Sequence, residues 1–181
     1  MSKTSILKDE LIERLINIDE EISLIYKGTI DFVIVGGSAL ILNFGSSRGT
    51  PDIDVLNINK DIESIVEKYD MNARSGIFET KFPYFYEDRL VEYKDKRLKV
   101  CKIYTPSLED LIVSKIAAFR PKDQEDINSP AIVKQVNWKR LIKIVEIDKE
   151  FEQAWRSDRE FSEFYQHYNE YKDRHYKKWI K

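Results

Sequence analysis

Cysteine occurs once in the chain, at Cys101. An intramolecular disulfide is therefore excluded, and so is a zinc site built from several thiolates. No apolar run approaches the ~20 residues that a membrane-spanning helix needs, and no secretory signal peptide is visible. Both absences lead to the expectation of a cytoplasmic protein that meets no membrane. An excess of basic charge is also missing, since 30 Lys and Arg stand against 32 Asp and Glu for a formal net charge of −2. Such a balance gives no bulk drive towards nucleic acid and leaves open only a local basic patch.

Glycine, with 6 residues, and proline, with 5, are too scarce for a fibrous or disordered chain. With 181 residues, 42% hydrophobic and 34% charged, the chain is long enough to bury a full core. The expected division is a domain over residues 1–128 and a helical segment over 129–181. No internal repeat or low-complexity segment is apparent.

The most informative stretch is Phe32 to Leu56, FVIVGGSALILNFGSSRGTPDIDVL. Its first four residues are apolar and largely β-branched, which suits a buried strand. Gly36 and Gly37 permit a backbone path that a Cβ would obstruct, and Ser38 stands where a short apolar helix begins. A strand, a glycine turn and a helix N-terminus together offer N–H groups and a favourable dipole to an anion. Asp52 and Asp54 follow on a second apolar segment. In a strand they share one face while Ile53 and Val55 take the other. Two carboxylates that converge in this way repel unless a cation lies between them, and magnesium is characteristically held by one or two carboxylates together with phosphate oxygens.

Gly36-Gly37-Ser38 followed by Arg48-x-Thr50-x-Asp52-x-Asp54 resembles the signature of the nucleotidyltransferase superfamily, in particular the AbiEii-like toxin nucleotidyltransferases and their uncharacterised relatives. Lys115, then Arg120-x-Lys122-Asp123-x-x-Asp126, is similar to that group's second half-signature. The resemblance covers about Phe32 to Ile127. It implies an α/β (α+β) fold with a mixed sheet flanked by helices, here with a C-terminal helical extension.

It also implies transfer of a nucleoside monophosphate from a nucleoside triphosphate, with Asp52 and Asp54 holding Mg2+. Gly36, Gly37, Ser38, Arg48, Thr50, Lys115 and Arg120 would face the nucleotide, with Lys122, Asp123 and Asp126 behind them. The group's association with toxin–antitoxin and phage-defence systems implies an RNA or tRNA acceptor, or a protein one, and a cognate antitoxin as partner. A catalytically inactive binding or regulatory module is the alternative. The superfamily usually completes its metal site with a third carboxylate on a later strand, which would allow two ions. Arg89–Tyr93 and Leu98–Ile103 read as a hairpin around a charged connection, and its second strand has no acid, so Glu92 is the preferred candidate, ahead of Glu87 and Asp88.

Elsewhere the periodicity predicts a helix over Ser5–Tyr26 and another over Lys60–Tyr69. The aromatic segment 78–86, crowded around Pro83, reads either as a lining over the active site or as core. Ser107 and Ser157 each open a helix in capping-box form. The last helix carries Phe161, Phe164, Tyr165, Tyr168, Tyr171 and Tyr176 at helical spacing, which favours packing or self-association through the C-terminal helices over nucleic-acid binding.

Overall fold

A computed structural model describes residues 5–56, 58–72, 81–153 and 157–176. Helix α1 spans Lys8–Ile25, strand β1 Ile30–Val35, helix α2 Gly36–Phe44 and strand β2 Ile53–Leu56. A 3-10 turn at Lys60–Ile62 leads into α3 (Glu63–Glu67), and β3 is Met71–Asn72. Strands β4 (Val91–Tyr93) and β5 (Cys101–Thr105) form the hairpin. Helices α4 (Leu108–Ala118), α5 (Pro121–Asn128), α6 (Pro130–Val133), α7 (Trp138–Ile142), α8 (Glu150–Gln153) and α9 (Asp158–His175) complete the chain.

The sheet runs β3-β2-β1-β5-β4 and is mixed. β1 pairs antiparallel with β2 and parallel with β5, so the expected α/β architecture with a mixed sheet is what the chain forms. Its two faces differ. Phe32, Ile34, Ile53, Val55, Cys101 and Ile103 are buried on one side, where α2 packs across β1 and β2. On the other side Asp31, Glu92 and Lys102 are exposed, and Val33, Asp54 and Tyr104 are half-buried. Period-two alternation thus gives the strands a core face and a second face, open at Asp31, Glu92 and Lys102 but covered at Val35 and Leu56.

Helix α1 begins three residues later than its periodicity suggests, at Lys8, because Ile6 is drawn into an antiparallel bridge with Thr50. The Ile6 N–H donates to the Thr50 carbonyl at 2.7 Å, and the Thr50 N–H donates back at 3.0 Å. Asp19 lies on the apolar stripe of this helix and is fully buried. Its carboxylate accepts the N–H groups of Lys99, Val100 and Cys101 at 2.9, 2.9 and 2.7 Å. That capture shortens the second hairpin strand, which starts at Cys101 rather than Leu98. The first strand is trimmed as well, since Arg89 sits in a 3-10 turn with its guanidinium held by Asp110 and Glu150, both at 2.7 Å.

The C-terminal helices share the buried cluster of the sheet. Phe164, Tyr168 and Tyr171 are buried as the aromatic spacing suggests, and Phe151 stacks on Phe164 at 3.8 Å between ring centres. Ser157 and Glu160 form the expected reciprocal cap. Ser107 likewise accepts the Asp110 N–H. The Tyr171 hydroxyl donates to the Ile127 carbonyl at 3.1 Å, pinning the last helix to α5. Trp155 lies outside the described residues, as does Phe78 of the aromatic segment. In that segment Phe82 and Tyr86 are core, whereas Tyr84 and Phe85 are exposed.

Removing the Asp19 carboxylate would leave three inward N–H groups without their acceptor. Asp19→Ala is expected to cost about 3 kcal/mol of unfolding free energy, measured by denaturant titration, while the exposed Asp31→Ala changes it by less than about 0.5 kcal/mol.

Candidate active site

The site is built where β1 runs into α2 and β2 passes alongside. Val35 pairs with Asp54 in the ladder, and α2 begins at the next residue, Gly36. Gly36 has φ of +66°, a conformation that side chains with a Cβ rarely adopt. A Cβ there would stand 3.0 Å from Asp54 Oδ2. Glycine thus serves both the turn and the close approach to the carboxylate.

Asp54 projects to the open face, while Ile53 and Val55 are fully buried on the other. Asp52, just before the strand, is half-buried and close enough for its charge to act on Asp54. The Ser38 and Thr50 hydroxyls both donate to the Asp52 carbonyl oxygen, at 2.9 and 3.1 Å. They fix the backbone that presents the first aspartate. Their side chains are therefore part of the frame of the site, and among the predicted anion-binding groups of this turn Gly36 remains as a lining residue of the cleft.

Behind the pair lies an ion network. Lys115 is 5% exposed, and its Nζ donates to Asp123 Oδ1 at 3.1 Å and to Asp126 Oδ2 at 2.6 Å. Arg48 clasps Asp126 with two bonds at 2.5 and 2.9 Å. Arg120 holds Asp123 at 2.6 Å and is half-exposed. Asp123 thus pairs with Lys115 and Arg120, and Asp126 with Lys115 and Arg48. Three cations share these two carboxylates, and Glu125 also lies within electrostatic reach of Arg48.

The electrostatics follow from these positions. Burial pushes the Asp54 carboxyl up from its ordinary value, and repulsion by Asp52 adds to it. A hydrogen bond from Asn72, at 3.3 Å, and the charges of Lys122 and Arg120 oppose the rise. Asp123 behaves in the opposite sense: burial raises it, but the bond from Arg120 and the attraction of Lys115 hold it below the usual carboxylate range.

A small cleft is lined by Gly36, Asp54, Lys81, Phe82, Ser114 and Arg120, with Lys115 and Asp123 at its wall. Lys81, Phe82, Ser114 and Asn72 were not singled out by the motifs. Lys81 and Phe82 come from the aromatic segment, whose position over the cleft depends on chain packing. Lys122 is exposed at the rim within electrostatic reach of Asp54.

Glu92 is not brought to the pair. β4 is the far edge of the sheet, three strand spacings or ~14 Å from β2, with β1 and β5 between, and Glu92 is exposed beside Lys94 at 3.4 Å. The hairpin pairs β4 with β5, and β5, not β4, takes the place next to β1. No group of three His, Cys, Asp or Glu side chains suited to a metal occurs among the described residues.

Comparison with known proteins adds one finding. A family model described as a nucleotidyltransferase of unknown function, DUF6036, matches residues 13–176. No curated protein matches the chain, and no solved structure does. Among the described residues no helix is long and apolar enough to cross a membrane.

Opposite pH effects are expected from the two aspartates. Asp54, raised in the folded state, costs stability above that raised value and nothing below the unfolded value near 4. Asp54→Asn should therefore raise the melting temperature by a few degrees at pH 7, with the gain fading towards pH 4; an unchanged or lower value at pH 7 contradicts the assignment. Asp123, lowered in the folded state, contributes stability that is present above the unfolded value and lost as pH falls below about 4. Asp123→Asn should cost about 3 kcal/mol at pH 7 and flatten the acid limb of the stability curve.

Proposed function

The chain belongs to this family of nucleotidyltransferases, and from that premise we propose that it moves a nucleoside monophosphate from a magnesium-bound nucleoside triphosphate to an acceptor hydroxyl. The observation that carries the reading is Asp54 on the sheet face beside Gly36, with the charges of Asp52, Arg120 and Lys122 all within reach of it.

The residues suit a magnesium ion. Burial and the charge of Asp52 both oppose ionisation of Asp54, and a bound cation would offset both. Asp52 and Asp54 would hold the ion, which when bound supplies charge neutralisation at the transferring phosphate. With two protein carboxylates, the remaining positions fall to phosphate oxygens and water, so one ion is favoured over two. Arg120 and Lys122 would steady the triphosphate. Lys115, held by Asp123 and Asp126, keeps Arg120 and its helix in place rather than reaching the phosphates.

In the transfer, the acceptor oxygen forms a bond to the α-phosphorus as the bond to the bridging oxygen breaks. Pyrophosphate leaves and the hydroxyl proton passes to water. Positioning and electrostatic stabilisation supply most of the rate.

The likeness of the motifs to AbiEii-like toxins extends the proposal: an RNA 3′ end, such as that of tRNA, as acceptor ahead of a protein hydroxyl, a toxin–antitoxin or phage-defence setting with an antitoxin partner, and a cytoplasmic location. A second reading, an inactive module that binds nucleotide and regulates a partner, is favoured by the two-carboxylate site and the distance of Glu92.

Incubation with each α-labelled nucleoside triphosphate, magnesium and total RNA decides between them. The native chain is expected to transfer label, and Asp52→Asn/Asp54→Asn to lose at least about 100-fold of the rate. Nucleotide binding without transfer to RNA or protein would favour the regulatory module.

A further inference from the structure

The polar groups that line the cleft beside Asp54 are not equally committed. Lys115 gives its ammonium to Asp123 and Asp126 at 3.1 and 2.6 Å, and Arg120 Nε donates to Asp123 at 2.6 Å. The acid on that wall, Asp123, is thereby taken up by two cations. Lys81, on the same cleft, differs. Among the described residues its ammonium makes no hydrogen bond and meets a single carboxylate, that of Glu160 on α9, at 3.9 Å. Glu160 is itself tied to the start of its helix, where Oε2 accepts the Ser157 N–H and hydroxyl at 3.0 and 2.9 Å. An ion pair of this length between partly exposed side chains contributes little. Ser114, on α4, is the second uncommitted group. It lines the cleft and is half-buried, yet among the described residues its hydroxyl makes no hydrogen bond, not even to the carbonyl one turn back that a helical serine commonly uses.

An ammonium and a hydroxyl on one cleft offer donors to an anion. The open volume of the cleft, about 30 Å³, is room for about one water and excludes a nucleoside. A phosphate end fits where a base does not, and the lysine is the flexible part of the wall, a point charge on a four-carbon stem. With the ion at Asp52 and Asp54, the α-phosphate lies at the metal and the β- and γ-phosphates extend from it. A triphosphate stays anionic with one magnesium on it, so its far end calls for a further cation. Arg120 and Lys122 act on Asp54 with their charge, which sets them at the metal end of the phosphate chain. Lys81, turned to Glu160, has the other end.

We propose that Lys81, with Ser114 on the same cleft, binds the terminal phosphates of a nucleoside triphosphate, its ammonium leaving Glu160 for phosphate oxygens as the nucleotide enters. The identity of the anion as a triphosphate rests on the transferase reading. The same contact would hold the departing pyrophosphate, and it makes Lys81 the residue that separates triphosphates from monophosphates, which carry no phosphate beyond the metal.

The test is calorimetric binding of the four nucleoside triphosphates and the matching monophosphates to the full chain in the presence of magnesium. Lys81→Gln should weaken triphosphate binding at least about tenfold and leave monophosphate binding within about twofold of the native chain. Lys81→Arg should keep most of the triphosphate affinity, and Ser114→Ala should lose about threefold. Glu160→Gln, which retains an acceptor for the Ser157 cap, should bind triphosphate at least as tightly as the native chain. The melting temperature of Lys81→Gln should stay within about one degree of the native value, because the pair it removes is weak. Equal triphosphate binding by Lys81→Gln and the native chain, an equal loss for mono- and triphosphates, or no triphosphate binding by the native chain would each overturn the proposal. Triphosphate binding that depends on Lys81, with no label passed to any acceptor, would retain the phosphate site and remove the transferase reading. Transfer by Lys81→Gln at the native kcat and KM would retain that reading and remove the phosphate site.

Discussion

The period-two alternation of β2 is the constraint on which this molecule depends. Ile53 and Val55 must lie beneath α2, and once they do, Asp54 has no choice but the opposite face. A slip of one residue would turn Asp54 into the core and Ile53 and Val55 out of it. The cost of that exchange fixes the register, and the Ser38 and Thr50 hydroxyls on the Asp52 carbonyl lock the entry to the strand. The same hydrophobic burial that stabilises the sheet therefore aims the carboxylates.

The charged groups around the pair divide between stability and function. Asp123 and Asp126 are buried in ion pairs with Lys115, Arg120 and Arg48, and removing one member would strand the others. Asp54 is the reverse case, a carboxyl whose surroundings oppose its charge. Groups that lower stability persist at sites that use them.

Much of this was legible in the sequence because it depended on local rules. The β-branched run before Gly36, the apolar–acid alternation at Ile53–Val55 and the caps at Ser107 and Ser157 all report short-range geometry, and each stands where the pattern puts it, while Asp52 falls just outside the strand. The alternation of the aromatic stripe in α9 likewise gave its buried face. What local rules could not give was strand order. Glu92 lies in a strand as expected, but β5 takes the place beside β1 and carries Glu92 to the far edge. Lys115 looked like a phosphate ligand because its helix position is right, yet its partners come from α5, across a turn whose direction no periodicity encodes. Asp19 was the quiet signal: an acid on the apolar stripe of a helix, between Ile18 and Ile22, marks a buried acceptor. It also explains why the second hairpin strand starts late.

The claim at the centre of this account is that Asp52 and Asp54 together hold a divalent cation against a nucleoside triphosphate. A crystal of the chain grown with manganese and an α,β-methylene nucleoside triphosphate tests it most directly. The account predicts an anomalous peak about 2.1 Å from an oxygen of each aspartate, with the triphosphate reaching towards Arg120 and Lys122. A nucleotide bound elsewhere, or one bound in this cleft without metal at either carboxylate, would contradict it.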